Sequence, residues 1–226
     1  MKLISIYDSE NIFVDKNDIR GQWIIEQKGT QKEKVSLLRN LCIKAGVKNF
    51  YDLGANYGEF SAYLSKHVER VFSFEPNPFV FQCLSRTSEL YPNMSVFQNA
   101  VATKDEDRFF HFNTKYSGGG QLNEWAWKDS RYSNYNKKEY YKMKKVKCIN
   151  FSNFFKNTNE SSPTLLKIDI EGMELEIIQS LKEALEPLSS WFIYFESDKM
   201  KTIPDGLPGT VLKKQASDTL IGKIKL

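Results

Sequence analysis

The sequence is poor in the features that would place it outside the ordinary globular class. Its 226 residues include 3 cysteines, Cys42, Cys83 and Cys148. They are far apart, odd in number and show no zinc-type spacing, so neither a disulfide framework nor a structural zinc is expected. Free thiols fit a reducing, cytoplasmic setting. No stretch approaches the ~18 apolar residues of a membrane span. The opening MKLISIYDSE turns polar and acidic too early for a secretory signal. No self-similarity recurs at the periods of solenoids or propellers. Charge of one sign is also scarce: the net +4 is modest, and part of it is local, in Lys137, Lys138, Lys142, Lys144, Lys145 and Lys147. Such a run is most simply a solvated face. Its functional reading is contact with phosphates, a nucleotide-sugar or an anionic glycan.

Apolar residues make up 41% of the chain and aromatics 14%, which is enough to build the core of a single domain spanning residues 1–226. Residues 1–45 read as an N-terminal cap followed by a lead-in helix, because Val35, Leu38, Leu41 and Cys42 recur at helical spacing. Strand and helix patterns then alternate. NFYDLG, RVFSFE and MSVFQNAV read as strands, GEFSAYLSKH as a helix, and Asn77-Pro78 as a helix start, since Asn caps and Pro fits the first turn. TLLKIDI and SWFIYFES are further core strands, separated by a helix with Leu175, Ile178 and Leu181 inward. TVLKKQ and TLIGKIKL are two closing strands, expected to pair antiparallel. Strands alternating with helices imply an α/β domain with a parallel sheet. Residues 104–148 interrupt this rhythm: RFFHFN alternates like an exposed strand, a glycine triplet follows at 118–120, and then a Trp- and Tyr-rich stretch. So long an interruption reads as a substrate lid, with Trp125, Trp127, Tyr132 and Tyr135 available to stack on a sugar or simply to pack.

Three constellations carry chemistry. Asp52-Leu53-Gly54-Ala55-Asn56-Tyr57-Gly58 joins a strand to a helix, and its glycines let the backbone turn sharply beneath a ligand. The spacing is neither G-x-G-x-x-G nor a Walker loop, so a dinucleotide or triphosphate cradle is not supported. Glu75 ends the next strand, where an acid can accept both hydroxyls of a ribose. Together they point to a nucleoside-containing cofactor. The third is Lys167-Ile168-Asp169-Ile170-Glu171-Gly172. If the strand continues to Glu171, alternation puts Asp169 and Glu171 on one side, as a carboxylate pair able to act as a general base or, alternatively, as helix caps.

In this order and spacing, DLGANYG, FEPNP, QNAVA and KIDIEGMELE resemble the FkbM family of S-adenosylmethionine-dependent methyltransferases, over about residues 49–182. The resemblance implies a Rossmann-like class I methyltransferase fold, with a mostly parallel seven-stranded sheet, helices on both faces and an inserted lid. It also implies methyl transfer from S-adenosylmethionine, usually to a hydroxyl of a sugar or natural product. By that likeness Gly54, Asn56 and Gly58 line the methionine moiety with Asp52 behind them, and Glu75 holds the ribose. Asn99 and Ala100, ending the third strand, border the adenine, and Asp169 and Glu171 face the methyl-transfer centre. The turn Ser117-Gly118-Gly119-Gly120-Gln121 departs from the family's serine-rich pattern, so substrate contacts there are not carried over.

The expected acceptor is a sugar, glycan or small molecule. Nucleic acid is disfavoured, although RNA methylation is kept as an alternative, and an oxidoreductase or a non-catalytic module ranks lower. His111 is a rival base because its ordinary pKa lies near neutrality, whereas His67 reads as structural. No metal is expected, although Asp169, Glu171 and Glu196 are able to converge as oxygen ligands.

Overall fold

The computed structural model describes residues 1–122, 138–196, 209–215 and 218–224. Trp125, Trp127, Tyr132 and Tyr135, and with them the centre of the expected lid, lie outside the described residues. The chain begins with a hairpin of β1 (Lys2–Ile6) and β2 (Glu10–Val14), followed by α1 (Ile19–Gln27), whose N-cap Asp18 accepts from the Gly21 amide. The lead-in helix is α2 (Lys32–Ala45). Then come β3 (Asn49–Leu53), α3 (Glu59–Leu64), β4 (Arg70–Phe74), α4 (Pro78–Ser88) and β5 (Met94–Phe97). As the sequence suggests, Asn77 caps α4 with Pro in its first turn.

The expected third strand is two strands. The chain leaves β5 after Phe97, and Ala100–Ala102 forms β6 in a different sheet, because its backbone pairs with Cys148–Asn150. The interruption at 104–148 is also more than a lid. It contains β7 (Glu106–Asn113) and β8 (Tyr141–Asn150), paired antiparallel along the full length of β7. The lysines that make residues 142–147 look like loop occupy the exposed positions of β8, while Val146 and Cys148 are buried. A half-solvated strand needs only one apolar face.

The chain continues through α5 (Phe151–Thr158), β9 (Thr164–Ile168), α6 (Glu174–Ser180), α7 (Lys182–Leu185), β10 (Ser190–Glu196), β11 (Thr210–Gln215) and β12 (Asp218–Ile224). In α6 the inward positions are Ile177 and Ile178, with Leu181 beyond, while Leu175 faces outward. Ile178 and Leu181 are thus inward as expected, and only Leu175, in the first turn of a helix that starts at Glu174, is not.

The central sheet has the order β11-β12-β10-β9-β3-β4-β5. Five neighbouring strands, from β10 to β5, run parallel, and β12 is reversed against both of its neighbours. The seven-stranded sheet is therefore mostly parallel, as expected, and mixed through the antiparallel β12; what the sequence did not show is that the N-terminal hairpin and the three-stranded β6-β8-β7 sheet accompany it. The central strands β3 and β9 are buried at every residue, as strands covered on both faces must be. Alternation divides their side chains between two cores. Phe50, Val71, Leu165 and Phe192 face α2, α3, α4 and the N-terminal cap. Tyr51, Leu53, Phe74, Leu166 and Ile193 face α5, α6 and α7. Among the described residues, no helix is long and apolar enough to cross a membrane.

The junction of β3 and β9 is the tightest point near the carboxyl edge. Gly54 has φ +80°, and a Cβ there would lie 2.0 Å from the Asp169 carbonyl oxygen. Gly46, at the end of α2, has φ +62° but nothing within 4 Å of a Cβ. Gly54→Ala is expected to cost more than ~3 kcal/mol of unfolding free energy and Gly46→Ala about 1 kcal/mol, as read by urea denaturation without ligand.

Candidate active site

The register of the parallel strands places a row of polar side chains inside the sheet. Asp52 on β3 is paired with Ser73 on β4 and with Lys167 on β9, so the three share one face of the sheet, and all are buried. Lys167 Nζ lies 3.1 Å from Asp52 Oδ1 and 3.5 Å from Asp169 Oδ2. It donates to the Gly54 carbonyl at 3.0 Å and sits 5.3 Å from the centre of the Phe60 ring. The other Asp52 oxygen accepts from Ser61 Oγ at 2.6 Å, and Ser61 Oγ is 2.8 Å from Ser73 Oγ. Burial works against the charge on Lys167, but the Asp52 and Asp169 carboxylates outweigh it and hold the ammonium above its ordinary pKa. A buried pair of this kind adds little net stability, yet removing one partner strands the other at a cost of ~3–5 kcal/mol.

Above this row runs the turn from Gly54 to Gly58. Asn56 has φ 51°, a left-handed conformation that Asn tolerates better than most residues, and Gly58 has φ 86° as the N-cap of α3. The Asn56 amide donates to Glu75 Oε2 at 2.9 Å, and the Asn77 amide donates to Glu75 Oε1 at 2.7 Å. Two amides thus fix the orientation of Glu75 and leave each oxygen a further lone pair for a ligand hydroxyl. Burial pushes Glu75 up to about 7, against the opposing pull of those two amides.

The N-terminal cap closes over the turn through two carboxylates. Asp18 accepts from Tyr57 Oη at 3.0 Å, from the Ser117 amide at 2.8 Å and from Ser117 Oγ at 2.8 Å. Ser117 in turn accepts from Asn56 Nδ2 through its carbonyl at 3.2 Å. Burial raises the Asp18 pKa, while these hydrogen bonds pull it back. Glu59, the first residue of α3, accepts from Tyr7 Oη at 2.7 Å, the Thr30 amide at 2.7 Å, Thr30 Oγ1 at 2.9 Å and Arg20 Nη2 at 3.1 Å.

A cavity of about 230 Å³ opens at this edge. Of the residues singled out from sequence, Gly54, Asn56, Glu75, Asn99, Ala100, Asp169 and Glu171 line it. Asp52 is buried behind the turn and Gly58 caps α3. Asn99 reaches the cavity from the link between β5 and β6, and Ala100 from the start of β6, not from the end of the third strand. β9 stops at Ile168, and Glu171 has φ 57°, so strand alternation is not what brings Asp169 and Glu171 together. A tight loop does so, held by Glu174 accepting from the Ile170 amide at 3.1 Å and the Gly172 amide at 2.9 Å. Carboxylate oxygens of Asp169, Glu171 and Glu196 all lie within 4.8 Å of one another, a set of hard oxygen donors. His111 does not join them. Its backbone pairs with Gln121, and its side chain lies on the face of β7 opposite the buried Phe110 and Phe112, outside the cavity lining. His67 does not line the cavity either and packs its ring against Tyr63.

The sequence reading assigned no role to Arg20, Glu59, Asp18, Ser117 or Lys167. Lys167 carried a signal, since a lysine inside the apolar run TLLKI needs a buried counter-charge. Asp18 and Ser117 are 99 residues apart, and nothing local pairs them. The arrangement fits S-adenosylmethionine. Gly54 and Gly58 allow the positive-φ turn to pack closely against Asp169 and Leu84, Glu75 offers carboxylate oxygens for hydroxyls, and Asn99 and Ala100 line the same cavity.

The buried Glu75 gives a pH test. An ordinary carboxyl at 4.5 that is raised to about 7 by folding is neutral in both states at low pH, and there its ionisation costs folding nothing. As pH rises past the ordinary value the unfolded chain sheds the proton first, and the penalty is complete above the folded value. Relative to Glu75→Gln, the wild type is expected to lose ~3 kcal/mol of unfolding free energy between pH 5 and pH 8, measured by urea unfolding of both proteins.

The model of the "Methyltransferase FkbM domain" family matches residues 52–208. A search of curated proteins finds no match. Among solved structures, the chain is similar to yhhF from Escherichia coli, described as a methyltransferase, with a TM-score of 0.50, 12% identity and coverage of 99% of each chain. It is also similar to an rRNA methylase from Streptococcus thermophilus, with TM-score 0.45, 10% identity and coverage of 83% of this chain and 95% of that one. A third is an RNA methyltransferase from Salinibacter ruber, solved with S-adenosyl-L-homocysteine, with TM-score 0.40, 15% identity and coverage of 86% and 91%. At such identities a structural likeness speaks to the fold alone, which is the Rossmann-like class I methyltransferase fold. The family match covers well over half of the chain, and the chain therefore belongs to the FkbM methyltransferase family and is an S-adenosylmethionine-dependent methyltransferase.

Proposed function

We propose that this methyltransferase acts on a hydroxyl of a sugar or glycan, with Asp169 or Glu171 accepting the proton or orienting the acceptor. The observation that carries the reading is the gathering of Asp169, Glu171 and Glu196 carboxylates within 4.8 Å beside the glycine turn. Carboxylate oxygens only accept hydrogen bonds, so a cluster of them suits an acceptor rich in hydroxyls. When bound, S-adenosylmethionine supplies an electrophilic methyl group. In this reading Gly54, Asn56 and Gly58 cradle its methionine end with Asp52 behind them, Glu75 takes the ribose hydroxyls, and Asn99 and Ala100 border the adenine.

The chain's own tasks are then to orient the acceptor in line, to keep water out and to receive a proton. An alcohol is a weak nucleophile until its proton has an acceptor within hydrogen-bond reach. Asp169 is partly solvated, with 47% side-chain exposure, and has Lys167 3.5 Å away. It is thus anchored on one side and open to the cavity on the other.

A second reading rests on β8, where Lys142, Lys144, Lys145 and Lys147 are all exposed. That strip suits a polyanion, and RNA is its natural candidate. The test is methyl incorporation into a panel of activated sugars, glycans and structured RNAs, read by mass increase. A sugar or glycan product supports the first reading, and an RNA product with salt-sensitive binding replaces it with the second. On the accepted substrate, Asp169→Asn or Glu171→Gln is expected to lower turnover by ~10²-fold or more with S-adenosylhomocysteine affinity nearly unchanged. Full activity in both variants removes the carboxylate assignment.

A further inference from the structure

We infer that Arg20, delivered by the N-terminal cap, is the anchor for the carboxylate of the cofactor's methionine moiety. It lies outside residues 52–208, which match the family model, so the family motifs do not assign it. Arg20 lines the cavity together with Gly54 and Asn56 and stands next to the turn, its Nη2 3.1 Å from Glu59, the residue that follows Gly58. Two contacts place it. Asp18 caps α1 one residue before its first turn and is tied to Tyr57 within the glycine turn. Gly21 brings α1 close against the chain at Asp15, where a Cβ would lie 2.1 Å from the Asp15 carbonyl oxygen.

The charge balance of the cavity selects Arg20. The lining includes Glu59, Glu75, Asp169, Glu171, Glu196 and Asp218, a surrounding that repels a ligand carboxylate unless a cation meets it. The lining also includes three cations, Arg20, Lys34 and Lys167. Lys34 is paired with Asp218 at 2.8 Å. Lys167 is enclosed by Asp52, Asp169 and the Gly54 carbonyl. Arg20 differs from both. Among the described residues its guanidinium donates only to Glu59, which leaves most of its five N–H donors available. Glu59 for its part accepts two hydrogen bonds on each oxygen, so it has no lone pair to spare for the ligand. Its work is to hold Arg20, Thr30 and Tyr7 in place. A guanidinium fixed by one edge and open along another matches a carboxylate in the two-point geometry that Arg favours.

The test removes the carboxylate from the ligand as well as the guanidinium from the protein. Binding of S-adenosylhomocysteine and of its analogue lacking the carboxylate, 5′-(3-aminopropylthio)adenosine, is measured by calorimetry on wild type, Arg20→Met and Arg20→Lys. Wild type is expected to bind S-adenosylhomocysteine about 10- to 100-fold more tightly than the analogue. Arg20→Met should lose that preference and bind both at the level of the analogue, and Arg20→Lys should recover part of it. The inference is overturned if wild type binds the two ligands equally, a result that needs no variant to fold. It is also overturned if Arg20→Met weakens both ligands by the same factor, which marks a merely structural role, or if it leaves both affinities unchanged and raises only the KM of the acceptor, which moves Arg20 to the acceptor side. Absence of S-adenosylhomocysteine binding to wild type would instead strike at the methyltransferase reading itself.

Discussion

The site is organised around one buried ion pair, Lys167 with Asp52, across the paired strands β9 and β3. Two charges inside a sheet survive only if each finds the other and the remaining polar atoms find partners. The sheet register meets the first condition, and Ser61, Ser73 and the Gly54 carbonyl help to meet the second. The consequence reaches beyond the pair. By donating to Gly54, Lys167 fixes the start of the glycine turn, and by standing near Asp169 it fixes the start of the carboxylate loop. The two halves of the cavity edge, the glycine turn and the carboxylate loop, hang from a single ammonium group.

A second level of organisation comes from the cap. Asp18 and Glu59 act as clasps, each collecting hydrogen bonds from elements far apart in the chain. Asp18 joins α1 to the glycine turn and to the Ser117 loop, and Glu59 joins α3 to Tyr7, Thr30 and Arg20. The aliphatic side chains Ile6, Ile12, Val14 and Ile24 complete the attachment by packing into the same core as α2, α3 and α4. The N-terminal forty residues thus pack into that shared core and contribute a wall of the cavity.

The carboxylates around the cavity differ by environment. Glu75 is buried, carries two amides and is pushed up to about 7 by burial, the setting of a group that holds a ligand by directed hydrogen bonds. Asp169 stands partly in solvent beside Lys167, with Glu171 and Glu196 close by. Chemically similar groups are given different environments by the depth at which the strand ends leave them.

Much of this was legible in the sequence. The strands β3, β4, β9 and β10 announce themselves as apolar runs, the Asn77-Pro78 helix start is a local signal, and the glycine turn with Glu75 about twenty residues later points to a nucleoside site because each depends on a few neighbouring residues. The break after Phe97, the loop geometry of Asp169 and Glu171, and the strand made from a lysine-rich stretch were misread, because each is decided by a partner strand or a capping carboxylate that local pattern does not contain. The sequence by itself therefore determined the alternation of strands and helices and the place of the glycine turn, since backbone periodicity and glycine placement are local properties, and its motifs carried the resemblance to the family. Only the tertiary structure decided which charges meet: Lys167 with Asp52, Asp18 with Ser117, Arg20 with Glu59. The sequence separation of such partners is arbitrary, and their pairing is dictated by desolvation and strand register once the chain has folded.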